Sequence, residues 1–222
     1  KLECESNSGA YVGDALTDLL LNRLKSEQKM QETYIDCNID EPKAIKINNR
    51  SLSREVDIVT ANWYDDVNSI INGKGEHRGV QIYNKRTNEK GEADYPFLSI
   101  SRINNRSSLT NGRLKKMIRF LKHCKSESNY QIGLSSFDIN AICYDIKSDI
   151  YKDLPFFELV PVIYNQLKRI CEDDTYADNV ISVDGREYIF RYDIEKKANL
   201  KQMLAEVEAI YFDLLESKNV LV

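Results

Sequence analysis

The sequence predicts an α+β fold: a small mixed or antiparallel sheet followed by a bundle of helices. Three observations carry this. Apolar residues alternate singly in short runs through the first hundred residues, at 44–47, 56–61 and 80–83. After Pro96 they recur every three or four residues. Clusters of turn-forming residues separate the runs. The change of period places a boundary near residues 96–108, with a sheet-bearing core over 1–100 and a helical part over 101–222. A chain of 222 residues can bury a sizeable core as one large domain or two small ones.

Taken in order, Val12, Leu16, Leu19, Leu20 and Leu24 follow helical spacing, with Asp14 placed to cap the first turn. After a polar stretch, residues 42–47 alternate as a strand. Asn48-Asn49-Arg50-Ser51 reads as a turn into a second strand around Asp57, paired antiparallel with the first. Residues 79–83 predict a third strand and 84–94 an exposed loop. Leu114, Met117, Ile118 and Leu121 make a helical stripe, and Ile139, Ile142 and Cys143 begin another. A third, introduced by residues 155–158, runs Leu159, Val162, Ile163, Gln166, Leu167, Ile170. Residues 180–192 read as a hairpin about Asp184-Gly185. A long final helix carries Leu200, Met203, Leu204, Val207, Ile210 and Leu214.

Composition excludes several classes. Net charge is −4, from 31 basic and 35 acidic residues, so any phosphate-binding surface must be local. Five widely spaced cysteines (Cys4, Cys37, Cys124, Cys143, Cys171) include no Cys-x-x-Cys pair, and the histidines are two, His77 and His123. A zinc site and a disulfide framework are both poorly supported, and reduced thiols in a cytoplasmic protein are the simplest expectation. No apolar run approaches the roughly 20 residues of a membrane span, and no signal-peptide pattern opens the chain.

Three constellations could carry chemistry. Asp57 lies in Val56-Asp57-Ile58-Val59-Thr60-Ala61, with Val56, Ile58 and Thr60 on one face and Asp57, Val59 and Ala61 on the other. A carboxylate on a stiff strand suits a metal ligand, and equally an edge strand showing a charge to water. Lys115, Arg119 and Lys122, at i, i+4 and i+7, line one side of the helix beginning at Arg113. They suit a polyphosphate or form an ordinary solvated face. Ser135 or Ser136 caps a helix whose first turn holds Asp138, and free N–H groups at such a start also bind phosphate.

In this order the segments resemble the cGAS/DncV-like nucleotidyltransferases of the polymerase-β-like superfamily. The resemblance rests on Lys43-Ala44-Ile45-Lys46-Ile47, on Val56-Asp57-Ile58-Val59-Thr60-Ala61, on the basic helix ending Ile118-Arg119-Phe120-Leu121-Lys122, and on Leu134-Ser135-Ser136-Phe137-Asp138-Ile139-Asn140. It covers about residues 10–145. It implies a partial nucleotidyltransferase core and makes Asp57 the third metal-binding carboxylate, acting on the acceptor hydroxyl. Lys122 and Ser136 would hold the donor triphosphate, joined by Ser135, Arg119 and Lys115. Two Mg²⁺ ions would clamp the reacting oxygens, with ATP or another nucleoside triphosphate as substrate.

The family's Gly-Ser turn and Asp-x-Asp pair are not found here, Thr60 stands where proline is frequent, and Asn140 where an acid is. The expectation is that an N-terminal segment with two metal ligands is missing, so that the chain alone is inactive. The implied function is synthesis of cyclic or short linear oligonucleotide messengers in bacterial anti-phage defence. Nucleotide transfer to RNA or protein, or a degenerate module binding nucleotide or a regulatory partner, are the alternatives.

Overall fold

Asp14 starts the first helix: its carboxylate accepts from the backbone N–H groups of Leu16 and Thr17, both at 3.2 Å, pairing donors that a helix start leaves free. The structure, a computed structural model, describes residues 11–49, 53–65, 71–73 and 75–220, and the chain divides into two units, Lys1–Leu98 and Ser99–Val222. Cys4 and the Arg50-Ser51 part of the expected turn lie outside the described residues.

Among the described residues the first unit holds α1 (Ala15–Thr33), β1 (Cys37–Asn38), β2 (Ile45–Asn49), β3 (Arg54–Ile58), β4 (Ala61–Tyr64), β5 (Gly79–Asn84) and β6 (Glu89–Lys90). The strands form two antiparallel sets, β1-β2-β3 and β4-β5-β6. The expected pairing of β2 with β3 is present, in the register Ile45 with Ile58, Lys46 with Asp57 and Ile47 with Val56. Ile45 and Ile47 are buried and Val56 and Ile58 half-buried, so the apolar residues of both strands share one face.

Three expectations for this unit are corrected. The first helix runs on to Thr33, and its inward stripe is Leu19, Arg23 and Glu27; Val12 and Leu24 are exposed. Arg23 can sit inside because its charge is paired and most of its donors are bonded: Nε bonds Glu27 at 2.7 Å, and Nη2 reaches the carbonyls of Ile39, Glu41 and Ala44, while Nη1 is buried without a hydrogen-bond partner. The run 56–61 is not one strand. Pairing with β2 stops at Ile58, where the carbonyl of Ala44 is taken by Arg23, and a new strand begins at Ala61 against β5. Residues 84–94 are not a plain loop, since β6 folds back on β5 and Asp94 bridges Val80.

The second unit is built from α2 (Pro96–Leu109), α3 (Arg113–Glu127), α4 (Ser136–Asp145), α5 (Leu159–Glu172), the single turn α6 (Asp174–Ala177) and α7 (Ile194–Val220). The stripes read from sequence supply its core: Leu114, Met117 and Leu121 from α3, Ile139 and Ile142 from α4, Leu159, Ile163 and Leu167 from α5, and Leu200, Met203 and Val207 from α7. Tyr164 of α5 stacks on Tyr211 of α7 at 4.6 Å between ring centroids. Helix α2 escapes the sequence reading because Asn104, Asn105, Ser107 and Ser108 are weaker helix formers. Packing of Ile103 against the core offsets that propensity. The hairpin over 180–192 reduces to a bridge between Ile181 and Tyr188 around a turn with Gly185 at φ 79.

Candidate functional site

Asp57 lies on β3 with its side chain in solvent, opposite Lys46. The period of the strand explains this: its apolar neighbours turn to the other face, so the carboxylate avoids the desolvation that an apolar run suggests. Glu55 shares its face, two residues away. Lys46 pairs with Glu41 at 3.4 Å. Its bond to Glu41, then the charges of Glu41 and Glu55 and more weakly of Asp57, hold the lysine above its ordinary pKa. The face is therefore acid-rich around a single lysine. Among the described residues β3 is the edge of its set, and no group of three or more His, Cys, Asp or Glu side chains stands ready to hold a metal ion.

The other candidates belong to the second unit. Lys115 and Arg119 of α3 are exposed and Lys122 is half-buried. The flanking basic residues are occupied: Arg113 Nε bonds the Leu154 carbonyl at 3.0 Å, and Lys125 Nζ bonds the Leu134 carbonyl at 2.6 Å. Lys125 thus ties α3 to the residue before Ser135. Lys122 also acts toward α4: burial pushes the Cys143 thiol strongly up, and the lysine charge offsets part of that rise.

The two serines do different things. Ser135 is the N-cap of α4, accepting from the Asp138 N–H at 3.1 Å, while the Asp138 carboxylate accepts from the Ser135 N–H and hydroxyl, each at 2.7 Å. Asp138 is buried at 1% exposure, and Lys196 approaches it at 3.1 Å. Ser136, the first helical residue, is exposed. Capping therefore uses the Ser135 hydroxyl and leaves Ser136 at the surface beside the N–H groups of the first turn.

Sequence reasoning missed the buried Arg23–Glu27–Lys85 group, in which Lys85 Nζ meets Glu27 at 3.0 Å and the Ile39 carbonyl at 3.2 Å. The i, i+4 spacing of Arg23 and Glu27 was a signal, but such pairs usually face water. The group fixes the segment leading into β2, the strand that carries the partner of Asp57. Among the described residues the remaining cysteines are free thiols. Burial pushes Cys124 and Cys171 up to about 11.

A family model for the cGAS/DncV-like nucleotidyltransferase C-terminal helical domain matches residues 101–212. A c-di-GMP synthase of Capnocytophaga granulosa is 55% identical over 208 residues, covering 93% of this chain and 59% of the relative. A c-di-GMP synthase of Flavobacteriaceae sp. is 39% identical over 214 residues, covering 95% of this chain and 59% of the relative. The solved structure of a STING-associated CdnE c-di-GMP synthase from Capnocytophaga granulosa superposes with a TM-score of 0.82 at 53% identity, over 92% of this chain and 66% of that one. It has the same α+β architecture of small antiparallel sheets and a helical region. The chain spans about 59% of the length of the curated relatives it matches. On the match across its helical half and these likenesses, the chain belongs to the cGAS/DncV-like nucleotidyltransferases.

Proposed function

We propose that the protein is a nucleotidyltransferase that joins two nucleoside triphosphates, GTP foremost, into a cyclic dinucleotide second messenger. The observation that carries this is 55% identity to a c-di-GMP synthase over 93% of the chain. By the same likeness its setting is bacterial, STING-associated signalling, which we read as anti-phage defence in the cytoplasm. No helix among the described residues is long and apolar enough to cross a membrane.

Asp57 fits one part of a Mg²⁺ site, being an accessible hard oxygen donor on an acid-rich strand face. One carboxylate does not hold two ions, so the reading requires further acids from outside the described residues. When bound, Mg²⁺ would polarise phosphoryl oxygens and lower the pKa of an acceptor hydroxyl. The chain's own contribution is positioning and charge. Lys122 and the exposed Ser136 would hold the donor triphosphate, with Arg119 and Lys115 adding positive charge for a leaving pyrophosphate. Ser135 would act on this site by fixing the start of α4.

The test uses protein extended to the full length of the relatives, incubated with Mg²⁺ and GTP. The expected products are pyrophosphate and a cyclic dinucleotide identified by mass spectrometry. Asp57→Asn is expected to reduce pyrophosphate release at least about a hundredfold, as loss of charge stabilisation at a reacting oxygen does, while leaving the fold intact by circular dichroism. Unchanged turnover in that variant refutes the role of Asp57. Nucleotide added to RNA or protein in place of a free cyclic product refutes the messenger reading.

A further inference from the structure

The helical unit contains an open cleft of about 490 Å³ with one wall on α2 and the other on the residues after α4, closed at one side by the turn at Gly185. Its volume is in the range of small-molecule sites, about 300–1,000 Å³. Its lining is mixed in charge, with cations in excess. Arg102 and Arg106, one helical turn apart on α2, both line it, as do Lys147 and Ser148. The two acids of the wall are already engaged. Asp145 Oδ2 accepts from Gln166 Nε2 at 2.9 Å and from the Tyr176 hydroxyl, and Asp149 pairs with Lys152 at 3.2 Å. Three cations therefore line the cleft beside two carboxylates, and with the charge of Asp149 offset by Lys152 the balance at the cleft is positive even though Asp145 keeps its own charge.

The arginines are held in place. Arg102 Nη1 donates to the Val183 carbonyl at 2.8 Å. Arg106 Nη1 donates to the Tyr144 carbonyl, and its guanidinium carbon lies 3.5 Å from the centroid of the Tyr144 ring. A guanidinium carries five N–H donors, so each keeps donors to offer after these bonds. The turn leaves room beside them: a Cβ at Gly185 would lie 3.4 Å from Arg102 Nη1, and its φ of 79 favours glycine. Two anchored planar forks with an exposed lysine on the facing wall form a preorganised receptor for oxyanions.

We propose that this cleft binds a compact phosphate-bearing anion. The Tyr144 ring is already covered by Arg106, so the site offers charge and hydrogen bonds rather than a platform for a base. It lies at the end of α4 away from Ser136, along a helix of 10 residues that measures roughly 15 Å. The assignment stands independently of the nucleotidyltransferase reading.

The experiment titrates the chain with sodium pyrophosphate in metal-free buffer, read by calorimetry and by ¹H–¹⁵N chemical shifts. Saturable binding is expected, with the largest shifts at the Lys147, Ser148 and Gly185 amides. Lys147 is exposed, so Lys147→Glu should keep the fold and weaken binding at least tenfold, and Lys147→Ala is the milder variant if the reversal destabilises. Arg106→Lys, which keeps the charge but loses the fork, should also weaken it. Lys122→Ala should leave the shifts at the Lys147, Ser148 and Gly185 amides unchanged, whatever pyrophosphate also binds at the start of α4. Absence of saturable binding overturns the proposal. So does binding lost in Lys122→Ala but kept in Lys147→Glu, which would move the anion to the start of α4. Tighter binding of citrate than of pyrophosphate overturns the phosphate assignment.

Discussion

Ser135 and Lys125 show how far a side chain's type falls short of its role. Ser135 belongs to a segment that resembles a triphosphate-binding surface and Lys125 lies on the same helix as Lys122, yet Ser135 closes a capping box and Lys125 bonds the carbonyl just before it. Loss of a cap costs about 1 kcal/mol, so Ser135→Ala is expected to lower the unfolding free energy of the chain by about that amount in a urea titration. Lys125→Ala is expected to lower the melting temperature measurably, because it frees the Leu134 carbonyl. Lys122→Ala should leave stability nearly unchanged and weaken binding of a non-hydrolysable GTP analogue to full-length protein. The bond to Leu134 makes Lys125 a structural residue, one turn from Lys122. Equal effects of the two substitutions on both measurements would refute this division. Asp57 was legible as an acid on a strand, but its exposure depends on which face of β3 meets the core.

At the scale of elements, α1 is the instructive case. Its start was legible because an N-cap aspartate has a local signature. Its inward face was not, because Arg23 and Glu27 look like a surface pair until Lys85 and the carbonyls of residues 39–44 are brought to them. Removing one member of such a group leaves buried charge without a partner, which costs about 3–5 kcal/mol. Glu27→Ala is expected to destabilise the chain by that amount in urea denaturation, and a double replacement, Arg23→Met with Glu27→Met, to recover a large part of it. A loss under 1 kcal/mol in the single variant would show that the group is not held as the structure has it. Helix α2 and the β5–β6 hairpin were missed for a related reason: their sequences are locally poor for the structure adopted, and burial or pairing supplies the remainder.

For the molecule as a whole, the stripes of α3, α4, α5 and α7 close on one another within the second unit. Residues 99–222 expressed alone are therefore expected to give a helical circular dichroism spectrum and a cooperative thermal transition. A non-cooperative melt would show that this core needs the first unit. The sequence by itself determined the class of fold, the period and apolar faces of the principal helices, the pairing of β2 with β3, and the family resemblance, because each rests on local spacing or on the order of short motifs. Only the tertiary structure decided that Arg23 is buried, that Ser135 caps while Ser136 stays exposed, and that Arg102, Arg106 and Lys147 line one cleft. The burial of Arg23 and the cleft depend on partners distant in sequence, whose approach supplies hydrogen bonds and charges that no local pattern encodes, while the choice between the two serines rests on the exact start of α4, which periodicity leaves open by a residue.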